Sequence, residues 1–327
     1  MKKFLYKKTY FKSRIIIELI FLIFIFCNFS NISKFNNNNN KKKDINIAIC
    51  TMGRMENLYI KEFIEYYCKM EIDHIFIFND NELYEESIYN EIDKKYQKKV
   101  SVYDTKLYHI NNQIDALSKC YKDNNDKFDW FLMIDMDEFL FIVGDTLKNY
   151  LNDKRFYKCD FIKIHWVLPT DNELLYYDQR PLFERFRPPY LKSEFIKTII
   201  RGNISDLKYW VHSPYFSPKR NRTCNNIGKR IYYKEMNFET IKPINIKKSF
   251  IIHFMFKSTE EFIYKLKRGY RNWLGNLSQT NLINKIKLYF RINKATFKKI
   301  KFIEEELNLN LSDFIAGINK KGNIKII

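Results

Sequence analysis

The segment Trp130–Leu140 constrains the fold of this chain more than any other. A run of five apolar residues leads into three carboxylates, Asp135, Asp137 and Glu138, and the chain then turns apolar again. Such a run is typical of a buried central strand. Three carboxylates at its end repel one another and lose hydration, which a divalent cation with oxygen ligands relieves. Asp135 and Asp137 are two positions apart and share one side of an extended segment, which predicts a shared metal ion. The alternative is a solvated surface turn.

The composition narrows the class of protein. The chain has 327 residues, 46% of them hydrophobic, which is enough for one large domain or two small ones. A formal net charge of +19 is typical of proteins that bind nucleic acid or anionic membranes. The lysines are scattered, however, and no zinc-finger, RNA-recognition or helix-turn-helix pattern occurs. The six cysteines form no Cys-x-x-Cys pair, which disfavours structural zinc and leaves one or two disulfides open.

The N-terminal region is predicted to lie outside the folded domain. A basic tail at 1–14 precedes an apolar run at 15–29, and a polar stretch rich in Asn and Lys follows at 30–44. Basic residues before a short apolar run predict a cytosolic tail and a signal-anchor, with a cleaved signal peptide as the alternative. The polar stretch is typical of a flexible stem. We therefore expect a single-pass type II protein of the Golgi or ER membrane, with a lumenal main domain.

Through the first half of the chain, β-branched apolar runs alternate with amphipathic runs. This alternation predicts an α/β fold with a parallel sheet and helices on both faces. The predicted strands are Ile45–Cys50, His74–Phe78, Val100–Tyr103, Trp130–Ile134, Cys159–Val167, Phe195–Ile200, Lys208–His212 and Ser249–Phe256. The predicted helices are Glu56–Met70, Ser87–Gln97, Ile110–Tyr121, a helix from a capping box at Ser258 to Lys267 or Arg268, and Leu282–Leu307.

Three of the predicted turns are expected to share one crevice, because ligands of such sheets sit at the carboxyl ends of the strands. They would bring Thr51, Asp80 and the two aspartates of the acidic segment together. The sequence contains no Gly-x-Gly-x-x-Gly and no phosphate-binding loop ending in Gly-Lys-Ser/Thr. A dinucleotide-dependent dehydrogenase and a P-loop enzyme are therefore disfavoured. A diphosphate bound here would need a different source of positive charge, which a metal ion on the aspartates would supply.

Several motifs, in order between Ile45 and Tyr270, resemble the family 92 glycosyltransferases and their family-2-like relatives. They are Glu56–Tyr67, Asp73–Asn81 and Trp130–Leu140, with weaker pieces at Glu184–Phe186, Lys197–Arg201, Val211–Pro214, His253–Phe254, Lys257–Ser258 and Arg268–Gly269. The resemblance implies a GT-A (Rossmann-like) domain over 45–275, with 276–327 as a basic helical extension. It also implies inverting transfer of a hexose such as galactose from a UDP-sugar to a glycan, with Mn²⁺ or Mg²⁺. The chain departs from the family at Cys50–Arg54 and in the loop after Trp166, which lacks the family's glycines.

The resemblance assigns candidate residues. Asp135 and Asp137 match the Asp-x-Asp metal motif, and His253 matches a late histidine that completes the metal shell. The positions around the nucleoside are matched by Thr51, Glu56, Asp80, Gln113 and Asp115. Glu138 is interpreted as support for the turn rather than as a metal ligand.

The proposed chemistry requires a cation and a base. Lys197 or Arg201 is predicted to stabilise charge on the leaving diphosphate. Inversion requires a carboxylate that deprotonates the acceptor hydroxyl. Asp171, which follows a strand expected to end near the metal, is the first candidate and Glu184 the second, with a solvated loop acid as the alternative for each. His212 is a further site candidate, although a histidine in an apolar strand is more often a core residue.

Two other functions are considered. One is a non-catalytic lumenal protein that binds a glycan or a nucleotide on the same fold. The other is a nucleic-acid-binding protein, which the predicted anchor disfavours because it places the domain away from nucleic acid. The donor sugar, the acceptor, the linkage and the disulfide pairing stay open from sequence.

Overall fold

The computed structural model describes residues 44–82, 85–205, 207, 212–213, 222–231, 239–269, 279–318 and 324–326. The strands are β1 (Ile47–Gly53), β2 (His74–Asn79), β3 (Val100–Asp104), β4 (Trp130–Met133), β5 (Glu138–Ile142), β6 (Phe161–Leu168), β7 (Leu191–Arg201), β8 (Thr223–Asn225), β9 (Ser249–His253), β10 (Ile315–Ile318) and β11 (Ile324–Ile326). The α-helices are α1 (Asn57–Lys69), α2 (Gln113–Asn124), α3 (Leu147–Leu151), α4 (Leu182–Arg185), α5 (Thr259–Arg268), α6 (Gln279–Ile292) and α7 (Phe297–Leu307).

Within this part of the chain, nine strands form one sheet in the order β3-β2-β1-β4-β7-β6-β9-β5, with β8 paired to β6. β1 lies parallel to β2 and β4, and β2 lies parallel to β3. β7 is antiparallel to β4 and β6, and β5 is antiparallel to β9. The predicted mixed, mostly parallel α/β sheet is therefore confirmed, and its antiparallel pairs are β4 with β7, β6 with β7 and β5 with β9.

The alternation of side chains in β1 divides the core into two layers. Ile47 and Ile49 pack in a cluster with the buried residues of α1, whereas Ala48 and Cys50 pack in another with those of α2. Successive side chains of a strand point to opposite faces, so the two helices cover opposite sides of the sheet. The two helices thus cover the faces of the sheet and not the edge at which the parallel strands end.

Two disulfides fix the sheet to its surroundings. Cys50 of β1 is joined to Cys120 of α2, and Cys159 before β6 is joined to Cys224 of β8. Among the described cysteines, Cys68 is the free one. Disulfides of this kind are typical of proteins that fold in an oxidising compartment.

Two local predictions are wrong, and one strand was missed. The predicted helix Ser87–Gln97 is instead two 3₁₀ helices, Ile88–Glu91 and Lys94–Lys99, because Ile92 between them is extended. The predicted helix Leu282–Leu307 is two helices, since Thr296 caps a new start by accepting from the Lys299 N–H. The strand β5 was not predicted, because its apolar residues directly follow the acids and resemble a continuation of the turn.

The N-terminal predictions lie outside the described residues, apart from Asp44. This holds for the tail at 1–14, the signal-anchor at 15–29 and most of the stem at 30–44. The predicted strand Lys208–His212 is described at His212 alone. Within the described ranges, no helix has both the length and the apolar character needed to cross a membrane.

Candidate active site

The acidic turn, Asp135–Glu138, joins the end of β4 to the start of β5. The Ile134 N–H donates to the Cys50 carbonyl (3.4 Å), which holds the start of the turn beside β1. The Glu138 N–H donates to the Asp135 carbonyl (3.1 Å), and the Asp135 N–H donates to Oε2 of Glu138 (3.0 Å). Burial raises the pKa of Glu138 well above its ordinary value. Glu138 thus holds the two ends of the turn together through its hydrogen bonds with Asp135, which agrees with its interpretation as a supporting residue.

Two lysines face the two aspartates of the turn. Lys197 Nζ lies 3.0 Å from Oδ2 of Asp135, and its side chain is 1% exposed. Lys265 Nζ lies 2.8 Å from Oδ2 of Asp137. Burial opposes ionisation of both carboxyls, but Lys197 holds the pKa of Asp135 below its ordinary value and Lys265 holds that of Asp137 well below. Both aspartates are therefore charged, and each has a fixed cation.

Strand register brings these side chains together. β7 runs antiparallel to β4 with Thr198 opposite Met133, so Lys197 is level with the residues that follow β4. β9 runs antiparallel to β5 with His253 opposite Glu138. The site is therefore built where the antiparallel strands β7 and β9 meet the end of the parallel sheet.

The helix α5 supplies Lys265. Its start is a capping box, in which the Ser258 hydroxyl accepts from the Glu261 N–H and the Glu261 carboxylate accepts from the Ser258 N–H. Glu261 is also paired with Arg185 of α4 (2.8 Å), and both side chains are buried. Lys265 lies one turn later, on the same side of the helix. The cap and the buried ion pair therefore fix the position from which Lys265 contacts the turn.

The three predicted metal ligands are close to one another but are engaged with protein groups. His253 Nε2 lies 3.4 Å from Oδ1 of Asp137, while Oδ2 of both Asp135 and Asp137 faces a lysine. Carboxylate oxygen and imidazole nitrogen are suitable donors for Mn²⁺ or Mg²⁺. In the described part of the chain, no group of three or more His, Cys, Asp or Glu side chains is arranged to hold a metal ion. A cation bound at these donors would displace the ammonium groups or lie beside them.

The predicted nucleoside residues Thr51 and Asp80 lie at the same edge of the sheet. Thr51 is fully buried, and its Oγ1 has no hydrogen-bond partner among the described residues. Asp80 lies 3.7 Å from Arg54, and its N–H donates to the Gly53 carbonyl (2.8 Å). A Cβ atom on Gly53 would meet the sulfur of Met136 at 2.4 Å. The end of β1 therefore lies directly against the acidic turn, and the end of β2 lies beside it on the other side of β1.

Glu56 binds two cations that sequence reasoning did not assign to the site. Arg268, the last residue of α5, lies 2.6 Å from Oε1 of Glu56 and also donates to the Met55 carbonyl (3.2 Å). Lys257 Nζ lies 3.8 Å from Oε2 of Glu56 and 4.0 Å from the centre of the Tyr59 ring. Lys257 and Arg268 belong to two motif pieces of the family resemblance, Lys257–Ser258 and Arg268–Gly269. Membership of these pieces is the sequence signal that could have assigned them to the site.

The other predicted residues separate into two groups. Gln113, the first residue of α2, donates to Oδ1 of Asp135 (2.5 Å) and so belongs to the site. Asp115 is exposed and is engaged with Asn112 in the cap of the same helix. Arg201 donates to the carbonyl of Cys159 and lies over the ring of Trp130, opposite the start of β4. Asp115 and Arg201 are therefore not brought to the acidic turn.

The two candidate bases differ in environment. Asp171 is 2% exposed, and its Oδ2 accepts from both Tyr289 of α6 and Lys299 of α7 at 2.5 Å. Glu184 lies on the short helix α4 and is exposed. Asp171 thus binds the C-terminal helices to the loop after β6, whereas Glu184 is open to solvent.

His212 lies near Lys197, the lysine that is paired with Asp135. Its Nδ1 is 3.2 Å from the Ile196 carbonyl. Burial, and then the charge of Lys197, lowers the pKa of His212 to about 4. The ring is therefore neutral near pH 7 and adds no positive charge to the site.

No protein-family model matches the chain, and no curated protein matches it. Among solved structures, it is similar to mannosyl-3-phosphoglycerate synthase from Rubrobacter xylanophilus, with 14% identity and a TM-score of 0.27. The match covers 39% of this chain and 42% of that one, so well under two thirds of that protein is spanned. A TM-score of this size does not establish a shared fold.

Proposed function

We propose that this protein is a glycosyltransferase of the GT-A type, similar to family 92, which transfers a hexose such as galactose from a nucleotide-sugar to a glycan. The observation that carries the proposal is the acidic turn together with the two lysines that contact it. Asp135 and Asp137 lie at the carboxyl end of the parallel strands, and Lys197 and Lys265 contact them. Ligands of α/β sheets bind at this edge, and mixed charges of this kind suit a diphosphate with a divalent cation.

The proposed roles follow from the contacts. Asp135, Asp137 and His253 are the proposed ligands of Mn²⁺ or Mg²⁺, which when bound would neutralise charge on the departing nucleoside diphosphate. Lys265 is 20% exposed in its ion pair with Asp137 and lies on a helix. Its ammonium group is therefore proposed to bind a phosphate oxygen through a change of side-chain conformation alone. Lys197 is fully buried and is proposed to orient Asp135. Inverting chemistry then requires a base for the acceptor hydroxyl.

For the base, Glu184 and Asp171 stay the proposed candidates. Glu184 is exposed, so an acceptor can approach it. Asp171 would have to give up Tyr289 and Lys299 before it could accept a proton. We therefore expect Glu184 to be the residue whose replacement removes transfer while donor binding is kept.

The proposed location is the lumen of the Golgi or ER, with residues 15–29 as the membrane anchor. The two disulfides support it, because such bonds persist in oxidising compartments. Proposed partners are a UDP-sugar donor and a glycan acceptor. A non-catalytic protein that binds the same ligands is the second candidate, and the lysines on both aspartates favour it, since they would hold the turn together without a metal ion.

A donor-hydrolysis panel tests the proposal. The full-length chain is incubated with UDP-galactose, UDP-glucose, UDP-N-acetylglucosamine and a GDP-sugar, with Mn²⁺, with Mg²⁺ and with EDTA. We expect hydrolysis of one UDP-sugar above all others, and a loss of at least about tenfold in EDTA if the metal stabilises the leaving group. Binding of a UDP-sugar without any hydrolysis or transfer would favour the non-catalytic candidate. Equal, background rates for all donors together with no binding would exclude both.

A further inference from the structure

Two Asn-x-Ser triplets lie on the surface of the folded chain. The sequence contains six Asn-x-Ser/Thr triplets, and two of them, Asn203–Ser205 and Asn310–Ser312, lie wholly within the described residues. Asparagine is frequent in this chain, so such triplets also occur by chance. In both of these, however, the asparagine and the serine are exposed. The folded protein can therefore carry a bulky group on either asparagine, because the group would extend into solvent.

The first triplet follows β7 in a turn whose backbone is anchored. The Gly202 N–H donates to the Asp129 carbonyl and the Asn203 N–H donates to the Asn125 carbonyl, both at 2.8 Å. A Cβ atom on Gly202 would meet the carbonyl oxygen of Phe128 at 2.0 Å, so the chain approaches this loop as closely as only glycine allows. Asn203 has a φ of 56°, which asparagine adopts more readily than most residues. The turn thus has a fixed backbone and an exposed asparagine.

This turn lies at the end of the sheet opposite the acidic turn. Arg201, two residues before Asn203, is paired with Trp130, the first residue of β4. The acidic turn instead follows the last residue of β4. A group on Asn203 would therefore leave the candidate active site open.

The second triplet follows α7. Its middle residue, Leu311, is 1% exposed, and the Leu311 N–H donates to Oε1 of Glu304 (2.7 Å). Its outer residues contact each other, because Ser312 donates to Oδ1 of Asn310 through its N–H (2.9 Å) and its hydroxyl (2.6 Å). Both bonds span two positions, so the local sequence can form them without the rest of the fold. The buried leucine anchors the segment, and Asn310 stays at the surface.

We propose that Asn203 and Asn310 are N-glycosylated. The substrate is an oligosaccharide held on a lipid diphosphate, and the transferase is an enzyme of the host cell. A C–N bond forms between Nδ2 of the asparagine and the anomeric carbon, the C–O bond to the diphosphate breaks, and Nδ2 loses one proton. Triplets of this kind are acceptors in secreted and lumenal proteins. The inference rests on the proposed lumenal location, with which the two disulfides agree, and not on sugar transfer by this chain.

The test expresses the full-length chain in eukaryotic cells, with a C-terminal tag containing Asn-Ala-Thr that reports entry into the lumen. Glycans are detected by gel mobility before and after peptide-N-glycosidase, and assigned to residues by mass spectrometry of the released peptides. Asn203→Gln and Asn310→Gln should each remove one glycan, and the double variant should remove two. Ser205→Ala and Ser312→Ala should do the same, whereas threonine at either position should keep the glycan. Asn284→Gln is the matched control, because Asn284 is an exposed asparagine that no serine or threonine follows two positions later.

The tag separates this inference from the proposed location. A glycosylated tag on a chain whose Asn203 and Asn310 are both unmodified would overturn the inference and leave the lumenal location intact. A glycan on one of the two alone would overturn the assignment of the other. An unmodified tag, with no glycan on either asparagine, would overturn both the inference and the location, while donor hydrolysis would still decide the transferase function.

Discussion

Replacing Asp137 with alanine should lower the rate of sugar transfer by about 10³-fold or more, which corresponds to about 4 kcal/mol in the activation barrier. The side chain is buried in the acidic turn and contacts both Lys265 and His253. Its removal leaves Lys265 without its carboxylate and takes away one of the two aspartates proposed to hold a cation. The rate is measured with whichever donor the wild type hydrolyses fastest.

The fold should survive this replacement, because Lys265 is 20% exposed and also donates to the Met255 carbonyl. Asp123→Ala is the matched control, since Asp123 is an exposed aspartate of α2 paired with Lys119 one turn away. The control should transfer at the wild-type rate. A folded Asp137→Ala protein that keeps more than about a tenth of that rate would remove Asp137 from the reaction.

Replacing Lys197 with methionine should lower the free energy of unfolding by about 3 to 5 kcal/mol, because it breaks a buried ion pair by removing one partner. Lys197 is 1% exposed and is the cation of Asp135, with Glu138 a further 3.8 Å contact. Without it, the acidic turn has negative charges that water reaches only at Asp135. Urea denaturation of both proteins gives the difference.

Lys163→Met is the matched control for this prediction. Lys163 lies on β6 and is also buried, but its described partners are the hydroxyls of Thr198 and Ser213 rather than a carboxylate. Burial lowers the pKa of Lys163 to about 7, so the folded protein pays for a charged Lys163 below that pH. Stability from this residue rises as the pH rises from about 7 toward 10.5, the ordinary value. Lys163→Met should therefore be neutral or stabilising at pH 7, and equal losses for the two variants would contradict the ion-pair argument.

A divalent cation adds a second measurement on the same variant. If Mn²⁺ and Lys197 compete for the carboxylate of Asp135, Mn²⁺ should stabilise Lys197→Met more than the wild type. Stability gained from binding follows the affinity for the folded state, so tighter binding appears as a larger gain. Equal gains in the two proteins would mean that the cation and Lys197 do not share Asp135.

The sequence predicts most of the parallel half of the fold because its strands, and the helices α1 and α2 that cover them, have strong local patterns. The helix predicted at Glu56–Met70 is α1 (Asn57–Lys69), and the strand His74–Phe78 is β2 with one more residue. The capping box at Ser258 is confirmed, because the signal depends on two residues three positions apart. The strands β6, β7 and β9 were also predicted from local patterns, but their antiparallel pairing has no local signal. Pairings such as Glu138 with His253 join residues more than a hundred positions apart, and only the folded sheet determines them.

The same distinction holds for the site. The crevice containing Thr51, Asp80 and the aspartates could be predicted, since parallel strands all end at one edge. Lys265 could not, because its contact with Asp137 depends on how α5 packs against the sheet. The environment of Asp171 was also out of reach, because Tyr289 and Lys299 approach it from helices at the far end of the chain.

Nucleotide binding tests the central claim most directly. Thermal unfolding of the full-length chain is followed with UDP or GDP, each with Mn²⁺ and with EDTA, and with Asp137→Ala as the control. UDP with Mn²⁺ at about 100 times its Kd should add about 2.7 kcal/mol, which raises the Tm by about 5 °C. The rise should be lost in EDTA and in Asp137→Ala. An unchanged Tm with every nucleotide, with or without metal, would contradict the assignment of the acidic turn to a nucleotide-sugar.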